Sequence, residues 1–518
     1  MKELFVVVKK NTYLDSLASL FQASLLQDCE GIEKAYVGMA TQANKNTLSE
    51  NGMSNGQVTE AGEQDLLMSV LATSKEAFEN AIAKLSKADN RTVAAVGEVT
   101  YSSTEEAVKA QPRANICSIA VPGEYALMEV KKALGLGLHC VVFSNNVPLE
   151  DEREMKELAR EKGLLCMGPD CGVANINGAA LVLASINNRG PFGICGASGC
   201  GIQHVAAIMH EVGSGVSQTI GTGGNDLKEP VGGISMLMGI DALENDMDTK
   251  YIVLISRRPA DPILKKLLER ISHCKKPVVA FFMGTKREEV EAAGAIWAEN
   301  LDDCAQKALS LIGKEYSLPS DEDITKLALE AVAGMSPDQK YVRGAFNGGT
   351  YCDEAMRIMQ EKIGGIFSNC PLSPELMLKD SYHSTENTCI DYGEEEFTLG
   401  RPHPVIDISV RKPAVLREAN DPETAVILLD FILTPPGNMD PAGAVLGDIK
   451  KAMTMAKQRG GRLVVVASVL GTDADLQDVN VQRQKLRDAG VYVCQTNCRA
   501  AMLAGEIIRL KNEVDKNE

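Results

Sequence analysis

One short pattern occurs twice, 150 residues apart, and constrains the fold more than any other feature of the chain. Residues 192–201 read F-G-I-C-G-A-S-G-C-G and residues 342–351 read V-R-G-A-F-N-G-G-T-Y, which puts Gly199 on Gly349. After each turn the apolar positions keep step: Ile202, Val205, Ala206 and Met209 fall on Cys352, Ala355, Met356 and Met359. That i, i+3, i+4, i+7 spacing is one face of a helix laid on a sheet. Later apolar runs follow in the same order, Y-I-V-L-I-S (251–256) with A-V-I-L-L-D-F (425–431), then P-V-V-A-F-F-M-G (277–284) with L-V-V-V-A-S-V-L-G-T (463–472). The reading is a duplicated parallel α/β domain over 191–320 and 341–518. The competing explanation is the rhythm common to all βαβ folds. The stretch S-L-P-S-D-E-D (317–323) marks the boundary between the copies.

The remaining chain divides in two, as expected where 518 residues exceed the roughly 250–300 that one core supports. In 91–190, strand candidates N-I-C-S-I-A-V (115–121), H-C-V-V-F-S (139–144) and G-L-L-C-M (163–167) alternate with helical segments at 123–136 and 148–162. This is a Rossmann-like run of βαβ units. Residues 1–90 hold strands near 4–8, 35–40 and 65–71 and helices near 15–27 and 75–87. That order suggests a small α+β domain, with the ferredoxin-like arrangement as one form of it.

Composition excludes several functions. A net charge of −17 and 4% aromatics leave neither the basic footprint nor the stacking platforms that nucleic acid needs. No C-x-x-C pair occurs among the fourteen cysteines, and the six histidines show no zinc spacing. The thiols are read as buried and free in a reducing compartment, and no metal site is expected. The start, M-K-E-L-F-V-V-V-K-K-N, holds too short an apolar stretch for a signal peptide or a membrane span. A soluble, cytoplasmic protein is the expectation.

A strand that runs through a glycine-rich turn into a helix leaves the first helical N–H groups free, and the helix dipole favours an anion there. The donors would be Ser198, Gly199, Cys200 and Gly201 in the first copy, and Asn347 to Thr350 (Gly348, Gly349 and Thr350 among them) in the second. Close strand–helix packing is the competing explanation. No G-K-[ST] follows, so neither loop is a Walker A motif. Two further loops stand at strand ends, Gly168, Pro169, Asp170 and Cys171, and Gly223, Gly224, Asn225 and Asp226. Open α/β sheets bind ligands beyond those ends. In G-R-P-H-P-V-I-D (400–407), Arg401 is placed to clamp a carboxylate or phosphate and His403 to move a proton. A rigid turn whose imidazole caps a carbonyl is the alternative. Cys200 is read as filling a small-residue slot rather than as a reactive thiol.

The order G-P-D-C-G, F-G-I-C-G-A-S-G-C-G, I-G-T-G-G-N-D resembles the α subunit of succinyl-CoA synthetase and its acyl-CoA ligase relatives. The duplicated region after it is similar to the carboxyl-terminal CoA-ligase domain of the β subunit. N-T-Y-L-D-S (11–16), S-N-N-V-P-L-E-D-E (144–152), G-G-T-Y-C-D-E (348–354) and G-R-P-H-P-V-I-D resemble the FdrA-like proteins, through nearly all of the chain. The resemblance implies a Rossmann-like CoA-binding-type domain followed by two flavodoxin-like domains, with CoA or a nucleotide as the family's ligand. For members tied to allantoin and purine breakdown it implies oxamate carbamoyltransferase, interconverting oxalurate plus phosphate with oxamate plus carbamoyl phosphate. Partner subunits encoded alongside and self-association are implied too.

One departure bears on the chemistry. The superfamily's ligases carry a phosphorylated histidine before an A-G-A-I segment, and this chain reads E-A-A-G-A-I-W (291–297), with Ala292 in that place. No ATP-grasp module and no glycine-rich CoA loop near the expected position are evident. Carbamoyl transfer is therefore the first expectation. An acyl-CoA ligase-like enzyme is the second, and an anion- or nucleotide-binding scaffold for partner enzymes the third.

Overall fold

The computed structural model describes residues 2–14, 16–27, 29–95, 101–398 and 402–517. The duplication is visible in the strand order of two large sheets. In the first, Ile296–Trp297, Val278–Phe282, Tyr251–Ser256, Arg189–Gly196 and Val216–Gly221 lie side by side in parallel. In the second, the matching order is Tyr492–Cys494, Val464–Leu470, Thr424–Ile432, Tyr341–Phe346 and Thr388–Asp391, with Phe367–Ser368 added at the edge. Each copy's first strand is thus central, and its chain feeds the helix that the sequence pattern marked: Gly199–Glu211 in one, Gly349–Ile363 in the other. This is the flavodoxin-like order expected of a doubly wound sheet.

The strands are continuous apolar runs because both faces are covered. One buried cluster contains residues of both sheets, from Ile194 and Val253 to Val426 and Val466, with Ile202 and Met209 of the first helix and Met356 and Met359 of the second. The copies therefore share a core rather than abutting. Helix Asn497–Asn517 packs across the Gly349 helix and closes that core. A buried polar seam runs through it. His204 bonds Tyr351 Oη at 2.7 Å and Asp302 Oδ1 at 2.9 Å, and Thr496 donates to Asp302 Oδ2 at 2.9 Å.

The Rossmann-like segment forms its own parallel sheet of Ile116–Ile119, His139–Val142 and Cys166–Met167, flanked by helices Gly123–Gly135 and Leu149–Glu161. The hairpin Val173–Ile176 and Ala179–Val182, which the sequence reading leaves with this segment, pairs instead with Val216–Gly221 of the first large sheet. The N-terminal unit has three antiparallel strands, with Leu66–Ala72 between Glu3–Lys9 and Ile32–Met39. Helices Ser16–Gln27 and Lys75–Ala95 cover one face. The stretch after residue 40 forms two short helices, Gln42–Glu50 and Gly56–Glu60, over the other face. Thr41 and Asn55 cap them. No helix among the described residues is long and apolar enough to cross a membrane.

Lys156 fixes the Rossmann-like segment to the first large sheet. Its fully buried ammonium donates to Glu152 Oε1 at 2.7 Å, to Thr222 O at 2.9 Å and to Asp226 Oδ1 at 2.9 Å, which uses all three of its protons. Removing the cation alone would leave two buried carboxylates unpaired. Lys156→Met should therefore destabilise this region by about 3–5 kcal/mol, read as a lower urea midpoint of its unfolding transition. An unchanged midpoint would contradict the role given to Lys156.

Candidate active site

The carboxyl ends of both large sheets open on one cleft of about 1620 Å³. At its floor the two duplicated helices meet with their N-termini, and the hydroxyls of Ser198 and Thr350 share a hydrogen bond of 2.8 Å. Ser198 is the N-cap of its helix and accepts from Gly201 N at 3.0 Å. Gly201 is thus an internally satisfied donor and not one for a ligand, which corrects the sequence expectation for it. Among the described residues, no protein acceptor is recorded for the amides of Gly199 and Cys200.

The second helix end has an anion of its own. Asp430, buried near the end of strand Thr424–Ile432, accepts from Asn347 N at 2.8 Å and Gly348 N at 2.9 Å. Arg411 pairs with it at 2.8 Å. Gly348 is therefore occupied by the protein's own carboxylate, a second correction. Gly349 has a different role: a Cβ there would stand 2.3 Å from Asp391 Oδ2 and 2.5 Å from Arg257 Nη2. Only glycine lets that carboxylate and that guanidinium lie over the helix end. Arg257 follows strand Tyr251–Ser256, and its side chain is 43% exposed and loosely paired, 3.7 Å from Asp391 and 3.9 Å from Asp353. It faces the cleft as a cation with room for a further partner. The neighbouring Arg258 is held by Gly284 O and Asp261. Asn347 Oδ1 and Thr434 Oγ1 are buried without a partner among the described residues, and both residues line the cleft.

The other expected residues divide. Arg401 lies outside the described residues. His403 lines the cleft; its Nδ1 accepts from Val405 N at 3.3 Å, which leaves Nε2 to carry the hydrogen, and burial pushes the imidazole down to about 4. The capped-turn reading and a neutral Nε2–H donor thus coexist in one ring. Loop 168–171 borders the cleft through Asp170, an exposed carboxyl at the rim that crowding and the charges of Glu152 and Glu394 push upward. Cys171 is buried, with its thiol against Val173 O. Gly223 backs onto this loop, since a Cβ there would meet Pro169 O at 2.1 Å. Gly224 lines the cleft. Asn225 reaches Glu152 at 3.3 Å. Asp226 is not a ligand residue: one oxygen pairs with Lys156, and the carboxylate caps Ser235 N and Met236 N of the next helix. Cys200 is no activated thiol, because burial and the Asp430 charge push it up to about 11. Ala292 is exposed at the end of helix Arg287–Ala292 and is not part of the cleft lining.

Sequence reasoning missed Arg257, Asp391, Glu394 and Asp430. The available signal for Asp430 was a lone carboxylate inside the apolar run A-V-I-L-L-D-F. Arg257 and Asp391 each stand at the carboxyl end of a predicted or observed strand.

Two fused flavodoxin-like sheets with convergent helix ends, preceded by a Rossmann-like sheet, define a protein of the CoA-ligase class. Residues 345–507 match the CoA-ligase family, and residues 1–105 match the heavy metal-associated domain of AllF. The chain is 41% identical over 506 residues to the uncharacterised protein YahF of Escherichia coli K12, covering 97% of this chain and 98% of that one. It belongs with that protein to the FdrA-like family of the succinyl-CoA synthetase superfamily. More distant relatives are the malate–CoA ligase α subunit of Methylorubrum extorquens (27% identity, 41% of this chain and 74% of that one). The succinate–CoA ligase α subunit of Methanothermobacter thermautotrophicus is similar at 28% identity over 39% of this chain and 76% of that one.

A metal of the kind that the name of the AllF domain suggests does not fit the residues present. A soft metal needs several thiolate or imidazole donors. Residues 1–105 hold one cysteine and no histidine, and the Cys29 thiol donates to Leu25 O at 3.2 Å. CoA brings several phosphate charges. The Rossmann-like wall of the cleft carries Glu124 and Asp170, and the lysines and arginines of the lining, Lys34, Lys228, Arg257, Arg258 and Lys412, come from its other walls.

Asp391 gives the site a pH signature. Burial, reinforced by the Glu394 charge and opposed by Arg257, pushes its carboxyl up to about 7. A carboxyl that titrates higher folded than unfolded takes up a proton on folding, so its contribution to stability is lost as pH rises from about 4 through about 7. Asp391→Asn removes that loss. Its melting temperature relative to the parent should therefore be higher at pH 8 than at pH 5, and an equal difference at both would refute the assignment.

Proposed function

We propose that this protein is the catalytic component of a carbamoyltransferase acting on oxamate and carbamoyl phosphate, or in reverse on oxalurate and phosphate. The observation that carries the reading is the pairing of one open helix end, at Gly199 and Cys200, with the cation Arg257 in one cleft, in a chain with Ala292 where the superfamily's phosphorylated histidine stands. Carbamoyl phosphate is already activated, so transfer needs no ATP and no phosphoenzyme. The amide nitrogen of oxamate attacks the carbamoyl carbon and loses a proton, and the C–O bond breaks with its electron pair leaving on phosphate. The Gly199 and Cys200 amides and Arg257 hold that phosphate as charge builds on it. The neutral Nε2–H of His403 donates to the carbamoyl oxygen, and Arg401 holds the acceptor carboxylate. Partner proteins encoded alongside and self-association are part of the proposal. The membership of a family with an AllF domain supports the link to allantoin breakdown.

Ligase-like chemistry with CoA is the second reading, favoured by the CoA-ligase match over residues 345–507. One assay separates the two. The protein is incubated with carbamoyl phosphate and oxamate, alone and with its neighbouring gene products, and phosphate and oxalurate are followed. Both products should form in equal amounts, and Arg257→Ala should lower kcat/KM on the order of 10²-fold or more. Thermal stabilisation by CoA without oxalurate formation would favour the ligase reading, and full activity of Arg257→Ala would remove Arg257 from the site.

A further inference from the structure

We propose that Asp391, with the Glu394 carboxylate beside it, is the acid–base group of the reaction and exchanges a proton with the nitrogen of the carbamoyl acceptor. The inference rests on the carbamoyl-transfer reading and assigns that reaction its missing proton carrier. In oxalurate phosphorolysis, a phosphate oxygen bonds to the ureido carbon while that carbon's bond to the oxamate nitrogen breaks. The nitrogen departs with the electron pair and must gain a proton, since an amide anion is a very poor leaving group. In the opposite direction the same nitrogen gives its proton up as the C–N bond forms. One titratable group must therefore face the reacting nitrogen in both directions.

Asp391 has the position for it. It ends strand Thr388–Asp391, in register with Phe346 at the end of the neighbouring central strand, so its carboxylate stands where the Gly349 helix begins. Oδ1 accepts from Gly393 N at 2.8 Å, and a Cβ on Gly393 would lie 3.0 Å from that oxygen and 2.9 Å from His403 Nε2. Oδ2 lies toward Arg257. A carboxylate oxygen of Glu394 and the Cys370 sulfur are within 4.8 Å of it and of one another. The Glu394 charge so near makes it harder for Asp391 to give up its proton.

The charged and titratable groups around Asp391 are Glu394, Arg257, Asp430, Cys370 and His403, with Asp170 reaching Glu394 from the opposite wall. None of the others has the same freedom. Asp430 is spent on two amides and Arg411. His403 is neutral near pH 7, and the Cys200 thiol stays protonated there. Asp391 joins a half-titrated carboxyl, pushed up to about 7, to a place over the Gly349 helix end beside Arg257, the cation proposed to hold the phosphate.

The test uses the full protein with its partners and follows oxalurate phosphorolysis against pH. Asp391→Asn should lower turnover by roughly 10²–10⁴-fold while heat protection by inorganic phosphate is kept. Glu394→Gln should move the pH–rate profile to lower pH, because the like charge that holds the proton in place is gone. Near-parental turnover in Asp391→Asn, or an unmoved profile in Glu394→Gln, would overturn the proposal. If the parent protein shows no transfer, the carbamoyl reading fails by itself. The pair is then judged by ¹³C-aspartate NMR, where the signal absent from Asp391→Asn should titrate lower in Glu394→Gln, and an unchanged titration overturns it.

Discussion

Two helices aimed with like ends at one point are the constraint from which the rest of the cleft follows. Each N-terminus carries roughly half a positive charge, and the Ser198–Thr350 hydrogen bond of 2.8 Å holds the two together. Such a juxtaposition needs negative charge nearby. The protein supplies part of it: Asp430 sits on the amides that open the Gly349 helix, and Asp391 lies over Gly349 itself. These carboxylates in turn call for Arg411 and Arg257. Among the described residues the Gly199 end has no such resident anion, and the dianion of the proposed reaction would complete the charge balance there.

The shared core makes that arrangement rigid. Helix faces built from Ile202, Val205 and Met209 and from Ala355, Met356 and Met359 pack in one cluster. Apolar packing alone tolerates sliding, whereas buried polar bonds have few alternative partners. His204 with Tyr351, Leu301 N with Glu354, and Thr496 with Asp302 bond across the copies and admit one register. The helix ends are thereby held opposite each other.

Most of the architecture was legible because it rests on periodicity. The offset between Gly199 and Gly349, and the order of apolar strands after each, carried over directly into two sheets of matching order. The hairpin at 173–182 was misplaced because short strands do not declare which sheet they join. The site was legible only in its backbone. Glycine-rich loops announce turns, but the side chains that fill them come from elsewhere in the chain. Asp226 looked like a loop ligand and is a buried partner of Lys156, a residue 70 positions away. Arg257 sits in S-R-R-P and Asp391 in I-D-Y-G-E, sequences that read as ordinary ends of strands until the sheets bring them together.

The malate– and succinate–CoA ligase relatives are named as α subunits, and they align with about two fifths of this chain. In this protein the region matching the CoA-ligase family follows on the same polypeptide, and the core that joins it to the first copy is intramolecular. A linker of a few tens of residues sets an effective concentration in the millimolar range, far above that of any cellular protein pair. The meeting of the two helix ends is therefore independent of dilution and of stoichiometric expression.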